Sequence, residues 1–294
     1  MAVPVEPKPA VERRFGPPEA LITVRDERID ESSGLVAARR HPDRYYTAND
    51  GAIRRLYLLD PQLGVVGDWS LADADFRDVE DLASARVAGQ DEVWLADVGD
   101  NDARRTTVRL IRYAEPRLGE DRLRRTGEWE LAYADGPRDA EGVFVAPDGT
   151  WVQVIEKVET GASGVYFAEL DRSRRSATLR RVGQITVGGA LLGTQMVTAA
   201  DVSPDGRWIA VRTYGGLWEF ALSEGKGTLP WTWIRSLPRS IRAPLQNQSE
   251  AVAYSPDGNS LLMTSEGAPF TLQRVAVLGN VPAGAMPATS VRSR

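Results

Sequence analysis

Carboxylates recur at matching positions in a repeated sequence pattern. The segment RDVEDLA at 77–83 returns as RDAEGVF at 138–144 and NQSEAVA at 247–253, with weaker copies ESSGLVA at 31–37 and VTAADVS at 197–203. When the copies are aligned on a shared apolar residue, the residue two places earlier is Ser33, Glu80, Glu141, Ala200 and Glu250. If the copies surround one axis, three glutamates would therefore converge on it.

A second tier of oxygen-bearing residues stands two places further back in each copy. These residues are Glu31, Asp78, Asp139, Thr198 and Gln248. Close carboxylates repel one another unless they share protons, meet a cation or face solvent. Calcium takes six to eight oxygens in irregular geometry, whereas zinc prefers nitrogen or sulfur ligands, which this chain nearly lacks. The pattern predicts Ca²⁺ held by Ser33, Glu80, Glu141 and Glu250; the alternative is that these residues only cap turns.

A further set of polar residues follows the second strand of each copy. We predict catalytic roles for Asp50, Asp97, Glu156, Lys157 and Arg212. We predict substrate-binding roles for Asn49, Asp100, Asn101, Tyr214 and Glu266. Two cations among these acids suit an anionic ligand, and a guanidinium can bind phosphate or carboxylate through two hydrogen bonds. The alternative is that both cations only pair with neighbouring acids.

The elements that must position these residues are short strands joined by tight turns. Each copy begins with a strand, a tight turn and a second strand. The aspartates in these turns are Asp43, Asp91, Asp148, Asp205 and Asp257. Four strands follow in each copy except the fifth, which has three, so a lone strand at 20–29 can fill the vacancy. This pattern predicts an all-β fold, a five-bladed β-propeller closed by its N-terminal strand. A six-bladed ring is the alternative, because the irregular segment 224–246 could hold further strands.

The same pattern predicts one domain with loose ends. We expect a Pro-rich flexible segment at 1–19, a single propeller domain at 20–279 and a flexible tail at 280–294. The start MAVPVEPKPAVERRFGPPEA is typical of an initiator Met placed on a Pro-rich linker after removal of a leader. This predicts an extracytoplasmic or secreted protein, with the cytoplasm as the alternative.

Composition excludes several classes of chemistry and partner. The 294 residues carry a net charge of −5, contain no cysteine and include one histidine, His41. There is accordingly no disulfide, thiolate nucleophile or His-based catalytic triad, and no global basic field to bind nucleic acid. No apolar run reaches the ~20 residues of a membrane span. We expect a monomer that binds a small molecule at the channel mouth.

The set Ser33, Glu80, Glu141 and Glu250 resembles the axial ring of the calcium-activated nucleotidases, or soluble apyrases. The resemblance implies a five-bladed propeller whose calcium is held by one Ser or Glu from each blade. Ala200 departs from that pattern, so water or the nearby Thr198 would have to replace a ligand. The SGL segment followed by ND at 49–50, with D-x-E-D/G elsewhere, also resembles the SdiA-regulated and phytase-like secreted propellers. Together these resemblances cover about 31–275 and imply a fold and a metal more than a reaction.

Three functions remain open from the sequence. The first is a calcium-dependent hydrolase of an anionic small molecule, such as a phosphoester or phosphoanhydride, in which Asp50, Asp97 or Glu156 activates water. The second is a non-enzymatic ligand- or protein-binding propeller with a structural calcium. The third is a metal-assisted lactonase or lyase that uses the same residues on an uncharged substrate.

Overall fold

Short strands make up nearly all of the regular structure. The computed structural model describes residues 11–50, 54–71, 75–188, 193–222, 229–244 and 246–282, which form an all-β protein. The strands up to residue 133 are β1 (Val11–Val24), β2 (Ser32–Ala37), β3 (Tyr45–Asn49), β4 (Arg55–Asp60), β5 (Gly64–Ser70), β6 (Val79–Val87), β7 (Gln90–Asp97), β8 (Val108–Ala114) and β9 (Arg125–Tyr133). The later strands are β10 (Ala140–Val145), β11 (Trp151–Glu156), β12 (Ala162–Glu169), β13 (Ser176–Thr186), β14 (Val197–Val202), β15 (Trp208–Thr213), β16 (Gly216–Ala221), β17 (Arg239–Ile241), β18 (Ser249–Tyr254), β19 (Ser260–Ser265) and β20 (Phe270–Pro282). No helix in these ranges is long and apolar enough to cross a bilayer.

The strands form five four-stranded units. The first is β2–β5, the second β6–β9, the third β10–β13 and the fourth β14–β17, while β18, β19 and β20 are completed by β1 to give the fifth. Within each unit, neighbouring strands are antiparallel. The second and third units share one eight-stranded sheet, because β13 pairs in parallel with β9 from Ser176↔Glu130 to Leu179↔Tyr133.

Asp-Gly turns join the first two strands of the last three units. Asp257 accepts a 3.0 Å hydrogen bond from the Asn259 amide, and Gly258 follows it with φ +69°. A residue with a side chain is strained at such a positive φ, and an aspartate bonding an amide two residues on stabilises the turn. Asp148 and Asp205 make equivalent bonds at 3.1 Å. These turns fix where each first strand ends and each second strand begins.

Apolar side chains pack between successive units in cyclic order. One buried cluster is shared by the first and second units, one by the second and third, one by the third and fourth, and one by the fourth and fifth. A fifth cluster packs Tyr57 and Leu59 of the first unit with Leu262 and Leu272 of the fifth. The first strands follow the same order, since β2 contacts β6, β6 contacts β10, β10 contacts β14, β14 contacts β18, and β18 contacts β2. The sheets are thus arranged in a propeller-like manner.

The N-terminal strand is longer and begins earlier than the sequence predicted. β1 spans Val11–Val24 rather than 20–29, and it pairs with β20 at the outer edge of the fifth unit. It therefore includes part of the segment 1–19 that was expected to be flexible, whereas residues 1–10 lie outside the described residues. Arg13 of this strand is 6% exposed and forms a 2.9 Å ion pair with Glu219 of the fourth unit.

The irregular segment 224–246 contains one strand in its described part, β17, and the predicted C-terminal tail contains the end of β20. A 3₁₀ helix at Thr232–Arg235 places the buried Trp233 indole 2.9 Å from Gln153 Oε1, and β17 then completes the fourth unit. The described part of 224–246 thus adds no further sheet. β20 continues to Pro282, inside the predicted flexible tail 280–294, and the remainder of that tail lies outside the described residues.

Candidate functional site

A β-bulge near the start of each first strand leaves one residue out of the ladder, and we call these five residues the ring. In the second unit Val79 pairs with Asp97 and Asp81 with Ala96, so Glu80 is left out of the ladder. A bulged residue is unpaired, and its strand bends locally. The same one-residue shift occurs at Ser33, Glu141, Thr198 and Glu250. Five equivalent residues of the central strands are therefore one serine, three glutamates and one threonine.

The fourth ring position is Thr198, and its assignment to Ala200 from the sequence is wrong. The amides of Ala200 and Val143 donate to the same Asp81 carboxylate oxygen, at 3.1 and 2.9 Å, so Ala200 lies at the level of Val143. Thr198 is buried, and its hydroxyl donates a 2.9 Å hydrogen bond to the Ser249 carbonyl. A signal in the sequence could have identified it, because Thr198 stands seven residues before its turn aspartate, as Glu141 and Glu250 do.

Backbone hydrogen bonds hold the ends of the second strands beside this ring. The Lys157 amide donates to the Asp139 carbonyl at 3.0 Å, and the Glu266 amide donates to the Gln248 carbonyl at 3.1 Å. The remaining bonds of this kind are Asp50 to Glu31 at 3.3 Å, Gly99 to Asp78 at 3.2 Å and Tyr214 to Met196 at 3.3 Å. The second tier thus contains Met196 where the sequence alignment placed Thr198.

The three ring glutamates are almost completely buried and affect one another's protonation. Burial raises the pKa of Glu141 to about 7, although attraction to the Lys157 ammonium opposes that rise. Burial, with repulsion from Glu141 and Glu266, raises the pKa of Glu250 to about 9. Burial and the neighbouring Glu141 also raise the pKa of Glu80 well above its ordinary value. At neutral pH the ring therefore holds protons as well as negative charge.

Further carboxylates extend the ring into a cluster. Burial and a hydrogen bond with Glu31 raise the pKa of Asp50 to about 8, and Glu266 and Asp78 contribute repulsion. Burial also raises the pKa values of Asp78 and Glu266. The acid cluster is defined here as Asp50, Asp78, Glu80, Glu141, Glu250 and Glu266.

Lys157 is the cation inside the acid cluster. Its ammonium contacts Glu141 Oε1 and lies 5.4 Å from the centre of the Tyr214 ring. Burial alone would lower the pKa of Lys157, but attraction to Glu141 and Tyr214 outweighs it and raises the pKa overall. The side chain therefore stays charged and offsets part of the repulsion among the acids.

Several buried carboxylate oxygens of the cluster have no hydrogen-bond partner in the part of the chain that the structure describes. They are Glu141 Oε2, Glu250 Oε1 and Asp50 Oδ1. Hard oxygen donors without partners are the kind of ligand that calcium takes, so the donor chemistry fits that ion. Among the described residues, however, no three acidic or histidine side chains are already grouped as ligands of one ion. Calcium would have to draw the carboxylates together and displace Lys157 from Glu141.

Asp97 belongs to a buried ion-pair network rather than to the acid cluster. Its carboxylate is fully buried, with Arg105 at 3.0 Å and Arg109 at 2.7 Å. The following loop passes close to the acids, since a Cβ on Gly99 would lie 2.2 Å from Glu80 Oε1. Glycine at this position is thus a requirement of the site that the sequence did not reveal.

The rest of the 97–101 loop and the first-unit strand end are also structurally engaged. Asp100 Oδ2 accepts a 2.7 Å hydrogen bond from the Arg105 amide, while Asn101 is exposed. Asn49 Nδ2 donates to Asp30 Oδ1 at 2.8 Å. Asp100 and Asn49 therefore order the loops at this end of the strands.

Glu156 and Arg212 lie within the units rather than free at a solvent-facing mouth. Glu156 accepts a 3.2 Å hydrogen bond from the Gly164 amide and lies 3.5 Å from the Arg138 guanidinium. Arg212 is 1% exposed and donates to the Gly216 and Pro244 carbonyls at 3.3 and 3.5 Å. Burial lowers the pKa of Arg212 to about 10, and the charge of Glu250 opposes that shift. The charge of Arg212 therefore attracts Glu250 from within the fourth unit.

One carboxylate joins the central strands directly beyond the ring. Asp81 is fully buried and accepts hydrogen bonds from the amides of Leu82, Val143 and Ala200. These amides belong to β6, β10 and β14, so the carboxylate reaches across the centre of the structure. Asp81 therefore links the three strands next to their ring residues Glu80, Glu141 and Thr198.

Comparisons with known proteins support the fold. No protein-family model matches the sequence, and no curated protein matches it. Among solved structures, the chain is similar to the crystal structure of Myxococcus xanthus glutaminyl cyclase, at 12% identity and a TM-score of 0.52, covering 92% of this chain and 100% of that one. At this identity the likeness shows the propeller-like fold alone. The resemblance to calcium-activated nucleotidases and SdiA-regulated propellers stays a prediction.

Proposed function

We propose that the chain is a five-bladed, closed β-propeller whose acid cluster binds calcium and hydrolyses an anionic small molecule of the phosphoester or phosphoanhydride class. The observation that carries this proposal is the set of buried oxygens on Glu141, Glu250 and Asp50, near Lys157, that have no hydrogen-bond partner among the described residues. Such oxygens are costly in a folded protein unless a ligand or proton satisfies them.

The cyclic order of the apolar contacts between units supports the proposal of five blades. Each unit shares an apolar cluster with the next, and the fifth shares one with the first. β1 covers the outer edge of the fifth unit, which would otherwise present unpaired backbone groups. A closed ring places the five bulged residues around one axis.

The calcium ligands we propose are Ser33, Glu80, Glu141 and Glu250, with Thr198 as the fifth protein group. When bound, calcium would polarise a phosphoryl oxygen and neutralise part of the cluster charge. Ligands drawn from five strands of different units would also fix those strands relative to one another. A millimolar affinity would suffice in the extracytoplasmic location that we propose for the chain.

Asp50 is the residue we propose to activate water. Of the three carboxylates that the sequence offered for this role, Asp97 and Glu156 are held by arginines, whereas Asp50 Oδ1 has no partner among the residues that the structure describes. A general base works best when its pKa lies near the operating pH, and that of Asp50 is about 8. Its carboxylate would accept a proton from the attacking water.

Lys157 and Tyr214 are the groups we propose to receive the anionic part of the substrate. Their side chains lie together beside Glu141. Once a cation neutralises Glu141, the Lys157 ammonium becomes available to pair with another anion. Charge-assisted hydrogen bonds of this kind stabilise negative charge that develops during phosphoryl transfer.

A binding propeller with a structural ion is the alternative. Glu80, Glu141 and Glu250 are only 4–7% exposed, which would suit an ion that fixes the blades rather than one that meets substrate. A lactonase or lyase would use the same residues on an uncharged substrate. The likeness to an enzyme's fold is compatible with every one of these functions, because one fold hosts many.

Turnover assays with calcium and then chelator distinguish these functions. We expect hydrolysis of a phosphoester or phosphoanhydride that stops on chelation and is lost in Asp50→Asn, while that variant keeps its calcium-dependent melting temperature. Glu19→Gln, an exposed carboxylate on β1, is the matched control and should behave as wild type. Calcium-dependent melting without turnover would support the binding propeller, turnover of lactones alone would support the third function, and no response to calcium would refute the metal site.

A further inference from the structure

A polar cavity outside the acid cluster is lined by arginines. It has a volume of about 380 Å³ and lies between β8, β9 and the loop that precedes β13. Its arginines are Arg112, Arg125, Arg172, Arg174 and Arg175, and Glu128 is its acidic side chain. The lining is thus strongly positive in a chain whose net charge is −5.

Arg112 is held in one orientation at the base of this cavity. Its guanidinium carbon lies 4.3 Å from the centre of the Trp129 ring, and Nη1 is 3.3 Å from Glu92 Oε2. Glycine at 127 makes room for it, since a Cβ there would lie 2.6 Å from Arg112 Nη2. The stacked, ion-paired side chain is therefore an ordered donor.

Two buried polar atoms lining the cavity have no hydrogen-bond partner among the described residues. They are Arg112 Nε and Thr126 Oγ1. A buried donor without a hydrogen bond destabilises the folded state, so two beside one cavity indicate a ligand that accepts hydrogen bonds. Together they supply an N–H and an O–H.

The remaining arginines lie at the rim of the cavity and carry more positive charge than their acidic partners neutralise. Arg125 pairs with Glu128, and Arg174 lies 3.6 Å from Asp171. Arg172 donates to the Asp148 carbonyl at 3.2 Å, which does not neutralise it. Arg175 is exposed and has no ion-pair partner among the described residues. Arg112 and Arg172 also repel each other, an effect that adds to burial in lowering the pKa of Arg112.

We propose that this cavity is an oxyanion site that binds a phosphate or sulfate group, either free or at the end of a larger molecule. Guanidinium forks match the oxygens of a tetrahedral anion, and several arginines can bind one such group at once. Arg112 Nε and the Thr126 hydroxyl bind from the base of the cavity, and Arg172 and Arg175 bind from the rim. The site is independent of the acid cluster and of the hydrolase activity proposed for it.

Titration calorimetry with inorganic phosphate and pyrophosphate at constant ionic strength tests this site. We expect Arg172→Glu with Arg175→Glu to weaken pyrophosphate binding by at least about tenfold, and Thr126→Val by roughly fivefold. Arg180→Glu is the matched control, because Arg180 is an exposed arginine of β13 that does not line this cavity. Its affinity should stay within about twofold of wild type, as expected for a surface charge outside the site.

Three outcomes would overturn the oxyanion site. They are equal weakening by Arg180→Glu, absence of binding at millimolar anion, and loss of binding in Lys157→Met with retention in the arginine variants. The last result would place the anion in the acid cluster instead. Vesicles of phosphatidylcholine with phosphatidic acid identify the source: binding to them as well as to pyrophosphate indicates a lipid headgroup, and binding to pyrophosphate alone indicates a free anion.

Discussion

The backbone amide of Ala200 donates a 3.1 Å hydrogen bond to the carboxylate of Asp81, across 119 positions of sequence. The Val143 amide donates to the same oxygen at 2.9 Å, and the Leu82 amide donates to the other at 2.8 Å. One side chain thus satisfies three amides on three central strands. This arrangement both fixes the level of Ala200 and ties the middle of the structure together.

Replacing Asp81 should therefore destabilise the whole fold. Asp81→Ala leaves three buried N–H groups without an acceptor, and we expect the free energy of unfolding to fall by about 3–5 kcal/mol in urea denaturation. Asp148→Ala is the control, since it removes an exposed carboxylate that accepts bonds from the amide and hydroxyl of Thr150 alone among the described residues, and it should cost about 1 kcal/mol. A loss from Asp81→Ala no larger than the control would show that water or other groups replace the carboxylate.

Thr198 should contribute to calcium binding although its neighbour Ala200 cannot. Thr198→Val removes a ring oxygen, and we expect calcium affinity measured by calorimetry to fall roughly fivefold. Thr213→Val makes the same change at another buried threonine of the fourth unit, outside the ring. Equal calcium affinity in the two variants would remove Thr198 from the ligand set.

Calcium should raise the melting temperature of the wild type. An ion that binds only the native state adds about 2.7 kcal/mol at a hundredfold excess over Kd. Glu141→Gln removes the central carboxylate and should abolish most of this effect in differential scanning calorimetry. An unchanged calcium response in Glu141→Gln would show that calcium binds elsewhere.

Stability without calcium should fall as the pH rises from about 5 to about 9, because Glu141, Asp50 and Glu250 have pKa values raised to about 7, 8 and 9. Unfolded carboxyl groups titrate near 4, so the native state binds more protons than the unfolded state throughout this range. Their stabilisation is complete below the unfolded pKa and is lost as the pH passes each native value. Urea denaturation in chelator at several pH values measures the slope.

Lys157→Met should steepen that slope, because the ammonium that favours ionised Glu141 is absent. Calcium should flatten it in the wild type by taking the place of the protons. A pH profile that rises toward pH 8 in chelator would contradict the raised pKa values.

Arg13→Ala should destabilise the fold far more than an exposed ion pair on the same strand. Arg13 pairs with Glu219, whose side chain is 1% exposed, and breaking such a buried pair costs about 3–5 kcal/mol. Glu19→Ala breaks the exposed pair of Glu19 with Arg274 and should cost at most about 1 kcal/mol. Similar melting temperatures for the two variants would show that β1 contributes little to holding the fourth and fifth units together.

Local signals in the sequence were sufficient for most strands but not for β1. Asp-Gly turns such as Asp257-Gly258 mark strand ends through chemistry that needs no distant partner. Pro18 and the residues before it are typical of a linker, yet proline is tolerated on an edge strand, where one side of the backbone is unpaired. The start of β1 was missed because its edge position depends on β20, at the other end of the chain.

The acid cluster was predictable as a group of residues, whereas the partners of individual members were not. Repetition brought Glu80, Glu141 and Glu250 together correctly in the sequence alignment. The arginines that bind Asp97 come from a loop of irregular sequence, so their geometry follows from the folded backbone alone. Thr198 was placed in the second tier, as a substitute for the missing ligand at Ala200, because the alignment used an apolar residue of the strand rather than the turn that follows it.

Pairing between Val24 and Phe270 also determines when during synthesis the fold can be finished. β1 leaves the ribosome before β2–β19 but finds its partner only after all of those strands have emerged. Until then, Tyr57 and Leu59 lack the apolar cover that Leu272 provides. Contacts this distant in sequence form slowly, and the exposed edge and apolar surface favour association between unfinished chains. We therefore expect the growing chain to need protection, by a chaperone or by rapid synthesis of the remaining strands, until β20 is made.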